Sequence, residues 1–201
     1  MINILVLPRS DYNLNYKETR DSLDEKFSEW LIFNKLNPVI ISNSMSQFMK
    51  LDDFIKSLNI KGVILTGGDF KLNSKRYILQ KKILQIAKKN KSPVLGLCQG
   101  MQMMAVFFGG KLHKVKNHVS KKHSLKFDSD VKFPNKIKCF HNYSILSCPK
   151  GFHITSKSED GIIESIKHDN LNWQGWMWHP ERDVIFNQHN NKNLKEIFYA
   201  K

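Results

Sequence analysis

Cysteine is scarce in this chain of 201 residues, and that scarcity excludes two classes of small protein. The three cysteines, Cys98, Cys139 and Cys148, are too few and too irregularly spaced for a disulfide framework. The sequence also has no Cys-x-x-Cys pair and no histidine cluster at ligand spacing. We therefore expect free thiols in a reduced compartment, no metal and no other cofactor.

Long apolar runs and low-complexity segments are missing as well. Residues 2–7 form only a short apolar run, without a basic segment before it, which favours a first strand over a signal peptide. No stretch rich in proline, glycine or serine divides the chain, so we predict one domain over residues 1–201. With 41% hydrophobic and 25% charged residues, the composition is typical of a globular protein. We expect a cytoplasmic protein with no membrane partner.

Arginine is rare, although the formal net charge is +14. Lysines are spread from Lys17 to Lys192 rather than clustered. A nucleic-acid surface needs clustered cations that neutralise neighbouring phosphates, so we expect no nucleic-acid partner. A positive field still raises association rates for anions, which favours a phosphorylated or nucleotide-linked small substrate.

Short apolar runs alternate with helical patterns in the first half of the sequence. The predicted strands are 3–7, 38–41, 62–65 and 93–97, and the predicted helices are 16–36, 45–58, 74–91 and 99–108. This alternation predicts an α/β fold with an open, mostly parallel sheet flanked by helices. Between 109 and 178 the apolar runs are shorter, as in 136–145 and 161–166, which indicates added antiparallel strands and long loops, notably over 113–138. A last helix is predicted near 193–199.

A candidate nucleophile lies where a buried strand should end and a helix begin. Gly96-Leu97-Cys98-Gln99-Gly100 fits the G-x-nucleophile-x-G pattern of a nucleophile elbow. Flanking glycines allow a strained backbone at the nucleophile, and the N-terminus of the following helix stabilises a thiolate. The alternative is an inert buried cysteine, which the two glycines disfavour.

A candidate base occurs late in the chain, in Trp178-His179-Pro180-Glu181. Pro180 stiffens the turn, so that Glu181 can hydrogen-bond one ring nitrogen of His179 while the other nitrogen faces a thiol. Because the chain has eight histidines, a histidine alone indicates little. The combination of His179 with Glu181 carries the prediction.

Backbone donors for an oxyanion are expected after the strand at 62–65. Thr66-Gly67-Gly68 follows that strand, and the N–H of Gly68 can point into the crevice that contains Cys98. The N–H of Gln99 supplies a second donor. In open parallel sheets the active site lies at the carboxyl ends of the strands, where both turns are predicted. An ordinary loop start is the alternative interpretation of the two glycines.

These three motifs, in this order, resemble the class I glutamine amidotransferase-like superfamily, and the resemblance covers nearly the whole chain. Residues 108–112, Phe-Gly-Gly-Lys-Leu, are similar to the segment after that family's elbow helix. The resemblance implies a flavodoxin-like fold, a triad of Cys98, His179 and Glu181, and oxyanion donors at Gly68 and Gln99. The implied substrate contacts are Gly67, Gln102, His141, Asn142, Tyr143 and Arg9.

Two features bear on the choice within this superfamily. Residues 160–166, Asp-Gly-Ile-Ile-Glu-Ser-Ile, resemble a strand of the γ-glutamyl hydrolases of the C26 peptidase type, and Arg9 is similar to a position at their pocket mouth. Met177 stands where many relatives have glutamine, which puts in doubt a substrate contact from that position.

The resemblance implies an enzyme that cleaves a γ-glutamyl amide through a glutamyl thioester on Cys98. The leaving group stays open. It is a larger amine or a phosphoramidate in a γ-glutamyl hydrolase, or ammonia in a glutaminase subunit that serves a separate synthase partner. A third hypothesis is a redox sensor in which Cys98 is merely oxidisable, which the intact His179 and Glu181 disfavour.

Overall fold

A computed structural model describes residues 1–128 and 132–199. The strands are β1 (Ile2–Leu7), β2 (Arg9–Asn13), β3 (Glu18–Ser22), β4 (Leu36–Ile40), β5 (Ile60–Leu65), β6 (Val94–Leu97), β7 (Leu112–Lys114), β8 (Val119–Phe127), β9 (Lys136–Phe140), β10 (Tyr143–Ile145), β11 (Phe152–Ser158), β12 (Ile163–His168) and β13 (Trp173–Trp176). The α-helices are α1 (Glu25–Phe33), α2 (Leu51–Ser57), α3 (Lys75–Asn90), α4 (Gln99–Phe107) and α5 (Gln188–Tyr199). Short 3-10 helices span Asn43–Gln47 and Pro180–Arg182.

The main sheet has the strand order β4-β1-β5-β6-β13-β12-β11-β8-β9. The strands from β4 to β13 pair in parallel, and those from β13 to β9 pair in antiparallel fashion. Strands β2 and β3 form a separate hairpin beside the end of β1, and β7 pairs with β10. The predicted α/β fold with a flanked parallel sheet and added antiparallel strands is confirmed.

Two apolar layers cover the faces of the sheet. In β1, Leu5 and Leu7 belong to one layer and Ile4 and Val6 to the other, because successive side chains of a strand point to opposite faces. The first layer packs under α2, α3 and α4, and the second under α1 and α5. Within the described ranges, no helix has the length and apolar character needed to cross a bilayer.

The structure differs from the prediction for residues 16–36. Helix α1 begins only at Glu25, where Asp24 caps it by accepting a hydrogen bond from Lys26 N at 3.0 Å, and residues 9–22 form the β2–β3 hairpin. The apolar helical spacing begins near Leu23, so the polar residues before it had no buried face to place in a helix.

The long loops predicted over residues 113–138 are also corrected, since β8 and the start of β9 lie there. Strand β8 buries only His123 and Leu125 and otherwise presents polar residues to solvent. Such a strand lacks the apolar alternation on which the prediction depended. Residues 129–131 of that predicted stretch lie outside the described residues.

Candidate active site

The three sequence motifs meet at one edge of the sheet. Strand β5 pairs in parallel with β6, and β6 with β13, so their carboxyl ends lie side by side. Thr66-Gly67-Gly68 follows β5, Cys98 follows β6, and His179 lies three residues beyond β13. Parallel pairing thus brings together residues that are far apart in sequence.

Cys98 occupies a strained turn between β6 and α4. Its backbone has φ 49° and ψ −105°, a conformation that costs about 1–3 kcal/mol for a residue other than glycine. The Cys98 N–H donates to the Trp176 carbonyl at 2.7 Å, and the Cys98 carbonyl accepts from Gln102 N at 3.1 Å. The surrounding hydrogen bonds therefore hold the nucleophile in place, and the residue is 5% exposed.

The glycines beside Cys98 have a different role from the one predicted. The positive φ belongs to Cys98 itself, whereas Gly100 permits close packing of α4 on β5. A Cβ on Gly100 would lie 2.2 Å from the Leu65 carbonyl oxygen. Close approach of helix and sheet, rather than flexibility at the glycine, fixes the position of the elbow.

His179 and Glu181 form a short hydrogen bond in the interior. The His179 Nδ1–H donates to Glu181 Oε1 at 2.6 Å, and both residues are buried. Cys98 lies on the other side of the ring, close enough for its side chain to raise the pKa of His179. The arrangement is that of a nucleophile, a base and an orienting carboxylate.

Burial and charge determine the protonation of His179. Burial lowers the pKa of the imidazole, but the Glu181 carboxylate and the Cys98 side chain outweigh it and raise the pKa to about 9. At neutral pH the ring is therefore an imidazolium. It can pair with a thiolate and has a proton to give to a leaving amine.

The turn after β5 packs directly on the His179 ring. A Cβ on Gly67 would lie 2.4 Å from His179 Cε1, so only glycine fits there without displacing the ring. Gly68 has φ +134°, in a region that favours glycine. Gln99 is the first residue of α4, where backbone N–H groups have no intrahelical partner. Both predicted oxyanion donors thus border the elbow, and their role in catalysis stays a prediction.

A buried arginine that the sequence analysis missed supports this turn. Arg76, in α3, is 4% exposed, and its Nη2 donates to the carbonyls of Thr66 at 2.7 Å and Gly67 at 2.9 Å. Its Nε and Nη1 have no hydrogen-bond partner among the described residues. Burial lowers the pKa of Arg76 to about 10, while attraction to the Cys98 thiolate opposes that change, so the guanidinium is charged at neutral pH. The one sequence signal was a single arginine in a helix whose other cations are lysines.

Helix α4 is joined to the predicted substrate-binding segment. Gln102 Nε2 donates to the Tyr143 carbonyl at 2.8 Å, which fixes the segment after β9 beside the elbow. Asn142 and Tyr143 are exposed there. Their contacts with a glutamyl group, and that of Gln102, stay predictions.

The substrate contact of His141 stays a prediction, and the structure shows where its side chain lies. Ile137, Cys139 and His141 are buried at every second position, as expected for side chains on one face of a strand. His141 Nδ1–H donates to the Tyr143 carbonyl at 3.1 Å, and Nε2 lies 3.5 Å from Glu164 Oε1. The ring belongs to a buried polar cluster.

Arg9 begins β2 and lies beside Gly68, and its predicted contact with substrate stays a prediction. Its Cβ is next to Gly68, and its guanidinium pairs with Asp11 at 2.7 Å on the β2–β3 hairpin. A cavity of about 580 Å³ opens beside this hairpin. Its lining includes Ser10, Tyr12, Asp21, Lys71, Lys75 and Arg76.

Comparisons with known proteins agree with this geometry. The family described as glutamine amidotransferase class-I matches residues 21–200. A gamma-glutamyl-CDP-amidate hydrolase from Campylobacter jejuni is 34% identical over 146 residues, which cover 69% of this chain and 70% of that protein. A glutamine-hydrolysing GMP synthase from Dictyostelium discoideum is 27% identical over 216 residues, which cover 89% of this chain but only 30% of the synthase.

A solved structure shares the fold of this chain. The crystal structure of a candidate GMP synthase subunit from Thermoplasma acidophilum superimposes with a TM-score of 0.73 at 18% identity, covering 99% of this chain and 93% of that one. With the family match over residues 21–200, the chain belongs to the class I glutamine amidotransferase family.

Proposed function

We propose that this protein is a cysteine-dependent hydrolase of a γ-glutamyl amide. The observation that carries the proposal is the buried constellation of Cys98, His179 and Glu181 at the carboxyl edge of the parallel sheet. The relatives are hydrolases and glutamine-hydrolysing synthases, which supports an enzyme of this reaction class.

The chemistry proceeds in two halves. The Cys98 thiolate attacks the γ-carbonyl carbon, and the resulting oxyanion accepts hydrogen bonds from the N–H groups of Gly68 and Gln99. The C–N bond breaks as the His179 imidazolium gives its proton to the departing nitrogen, which leaves a glutamyl thioester. His179 then takes a proton from water, whose oxygen attacks the thioester, and C–S cleavage releases glutamate.

We further propose that the leaving group is large and anionic, and that it is the CDP-amidate named for the Campylobacter relative. The cavity beside the β2–β3 hairpin supports this, because it adjoins the Gly68 turn and presents Lys71, Lys75 and Arg76. The buried Arg76 guanidinium adds its charge to the positive field of this cavity. A role for the released phosphoramidate in capsule polysaccharide modification stays a prediction, tested by phosphorus NMR of capsule from cells that lack the protein.

A second candidate is the glutaminase component of a two-part synthase. The similarity to about a third of a GMP synthase favours it, since there the matching region is one part of a larger enzyme. In this case the substrate is glutamine and the leaving group is ammonia.

Glutamate release from a panel of γ-glutamyl compounds separates the two candidates. The panel contains glutamine, simple γ-glutamylamines and γ-glutamyl-CDP-amidate. Efficient release from the nucleotide compound with poor release from glutamine supports the hydrolase. Slow release from glutamine alone, accelerated by an added synthase, supports the glutaminase component. A Cys98→Ala variant that retains turnover would overturn both.

The leaving-group cavity has its own test. Lys71→Ala and Lys75→Ala each remove a cation that lines it without removing a hydrogen bond to the Gly68 turn. We expect KM for γ-glutamyl-CDP-amidate to rise roughly 10-fold, as for the loss of a charged hydrogen bond, while KM for glutamine is unchanged. Lys121→Ala, an exposed lysine on β8, is the matched control. Equal KM changes for both substrates would contradict the placement of the nucleotide.

A further inference from the structure

A cluster of four buried side chains lies outside the triad. His118 precedes β8, Cys139 is in β9, His141 follows β9, and Glu164 is in β12. Their relative exposures are 1%, 0%, 3% and 0%. One ligand-type atom from each lies within 4.8 Å of the others. Four polar side chains so placed need an explanation, because burying unpaired polar groups costs free energy.

The hydrogen bonds around the cluster fix which ring nitrogens face inward. His118 Nε2 contacts Asp160 Oδ2 at 3.0 Å, and His141 Nδ1 contacts the Tyr143 carbonyl at 3.1 Å. Both partners are acceptors, so these two nitrogens carry hydrogens. The opposite ring nitrogens, His118 Nδ1 and His141 Nε2, then face the interior of the cluster.

Both inward nitrogens lie beside a carboxylate. His118 Nδ1 lies 3.1 Å and His141 Nε2 lies 3.5 Å from Glu164 Oε1, and neither has a hydrogen-bond partner among the described residues. Buried polar atoms without partners cost free energy, and a cation bound between these nitrogens and the carboxylate would satisfy all three groups.

The separations from Glu164 are close to those of one particular coordination geometry. A tetrahedral zinc ion with nitrogen and oxygen ligands at about 2.05 Å and a thiolate at about 2.3 Å sets ligand-to-ligand distances of about 3.3–3.6 Å. The distances from Glu164 Oε1 are 3.1 Å to His118 Nδ1, 3.5 Å to His141 Nε2 and 3.7 Å to Cys139 Sγ.

We propose that His118, Cys139, His141 and Glu164 bind a zinc ion. Two imidazoles with a thiolate and a carboxylate form a set that zinc accepts, whereas magnesium and calcium prefer oxygen ligands alone. The thiolate and the carboxylate neutralise the charge of the ion, which suits a buried site. Asp160 and the Tyr143 carbonyl accept hydrogen bonds from the outer ring nitrogens of His118 and His141. Hydrogen bonds of this kind orient metal-bound histidines in zinc sites generally.

The ion ties three strands together behind the active site. Phe140, between two of the ligands, places its ring centroid 5.9 Å from that of His179. The Tyr143 carbonyl that accepts from His141 also accepts from Gln102 in the elbow helix. The zinc site is thus structural, with all four ligands from protein, and it positions the segment that flanks the catalytic histidine.

Cobalt spectroscopy of a single-thiol protein tests the proposal directly. Cys98→Ala/Cys148→Ser leaves Cys139 as the one thiol of this chain, so a thiolate-to-cobalt charge-transfer band must come from it. We expect this band, intense tetrahedral visible bands and about one cobalt ion per chain, displaced by zinc. Cys98→Ala/Cys139→Ser is the matched partner and should lose the charge-transfer band while Cys148 remains.

Metal analysis of the untagged wild-type protein completes the test. We expect about one zinc per chain after purification without chelator, and a lower Tm once a strong chelator has removed it. The proposal is overturned if the folded single-thiol protein binds neither ion at excess metal. It is also overturned if nitrogen NMR of zinc-treated protein shows both ring nitrogens of His118 or His141 still protonated.

Discussion

Replacing Glu181 with glutamine tests the electrostatic core of the mechanism. The substitution keeps the shape of the side chain but removes the charge that lies 2.6 Å from His179 Nδ1. It also offers an amide N–H to that nitrogen, which favours the wrong tautomer of the ring. Because the site is buried, water cannot replace the lost charge.

The magnitude follows from the pKa of His179. Its rise from 6.5 to about 9, despite burial, corresponds to roughly 3 kcal/mol in favour of the imidazolium, at about 1.4 kcal/mol per pKa unit. The Cys98 side chain supplies part of this, so loss of the Glu181 part predicts a kcat lower by roughly 10²-fold. The pKa of His179 should fall towards 6.5 in the variant.

The assay is the pH dependence of kcat/KM for glutamate release. Acylation needs a protonated His179, so activity of the wild-type enzyme should decline above a pKa of about 9. In Glu181→Gln this decline should move to lower pH. Glu196→Gln, an exposed carboxylate that pairs with Lys192 at 3.8 Å, is the control and should leave the profile unchanged. A Glu181→Gln enzyme with wild-type kcat and an unmoved upper limb would refute the reasoning.

Three other substitutions probe the nucleophile, the turn and the core. Cys98→Ala should abolish turnover with Tm nearly unchanged, since alanine removes the thiol without adding bulk; turnover near wild type would exclude Cys98 as nucleophile. Gly67→Ala should lower kcat at least 10-fold, because the new Cβ would lie 2.4 Å from His179 Cε1 and displace the ring; unchanged kinetics would show that the ring has room to move. Trp30→Phe should reduce the free energy of unfolding in denaturant by roughly 2 kcal/mol, through a cavity and a lost 2.9 Å hydrogen bond to Asn191 Oδ1. In that variant, an unchanged denaturation midpoint would contradict the proposed link between α1 and α5.

The residues of the candidate site could be predicted because their signals are local. A buried apolar run followed by Gly-x-Cys-x-Gly indicates a strand, a turn and a helix within a few residues. Parallel strands then place all such turns at one edge of the sheet, so Cys98, His179 and the Gly68 turn meet without any knowledge of strand order. The sequence did not predict the β2–β3 hairpin, because its residues are mostly polar and its strands are largely exposed, which leaves little apolar periodicity to detect.

By itself the sequence determined the fold class, the elbow and the partners of Cys98, since each depends on short-range patterns. Only the tertiary structure placed Arg76 under the Gly68 turn and brought His118, Cys139, His141 and Glu164 together. The Arg76 contacts depend on how helix α3 packs against the turn after β5. The four-residue cluster depends on which face of a strand each side chain takes and on the register between strands distant in sequence. Both are tertiary properties, and a slip of one residue reverses the face of a strand, so spacing along the chain could not reveal either site.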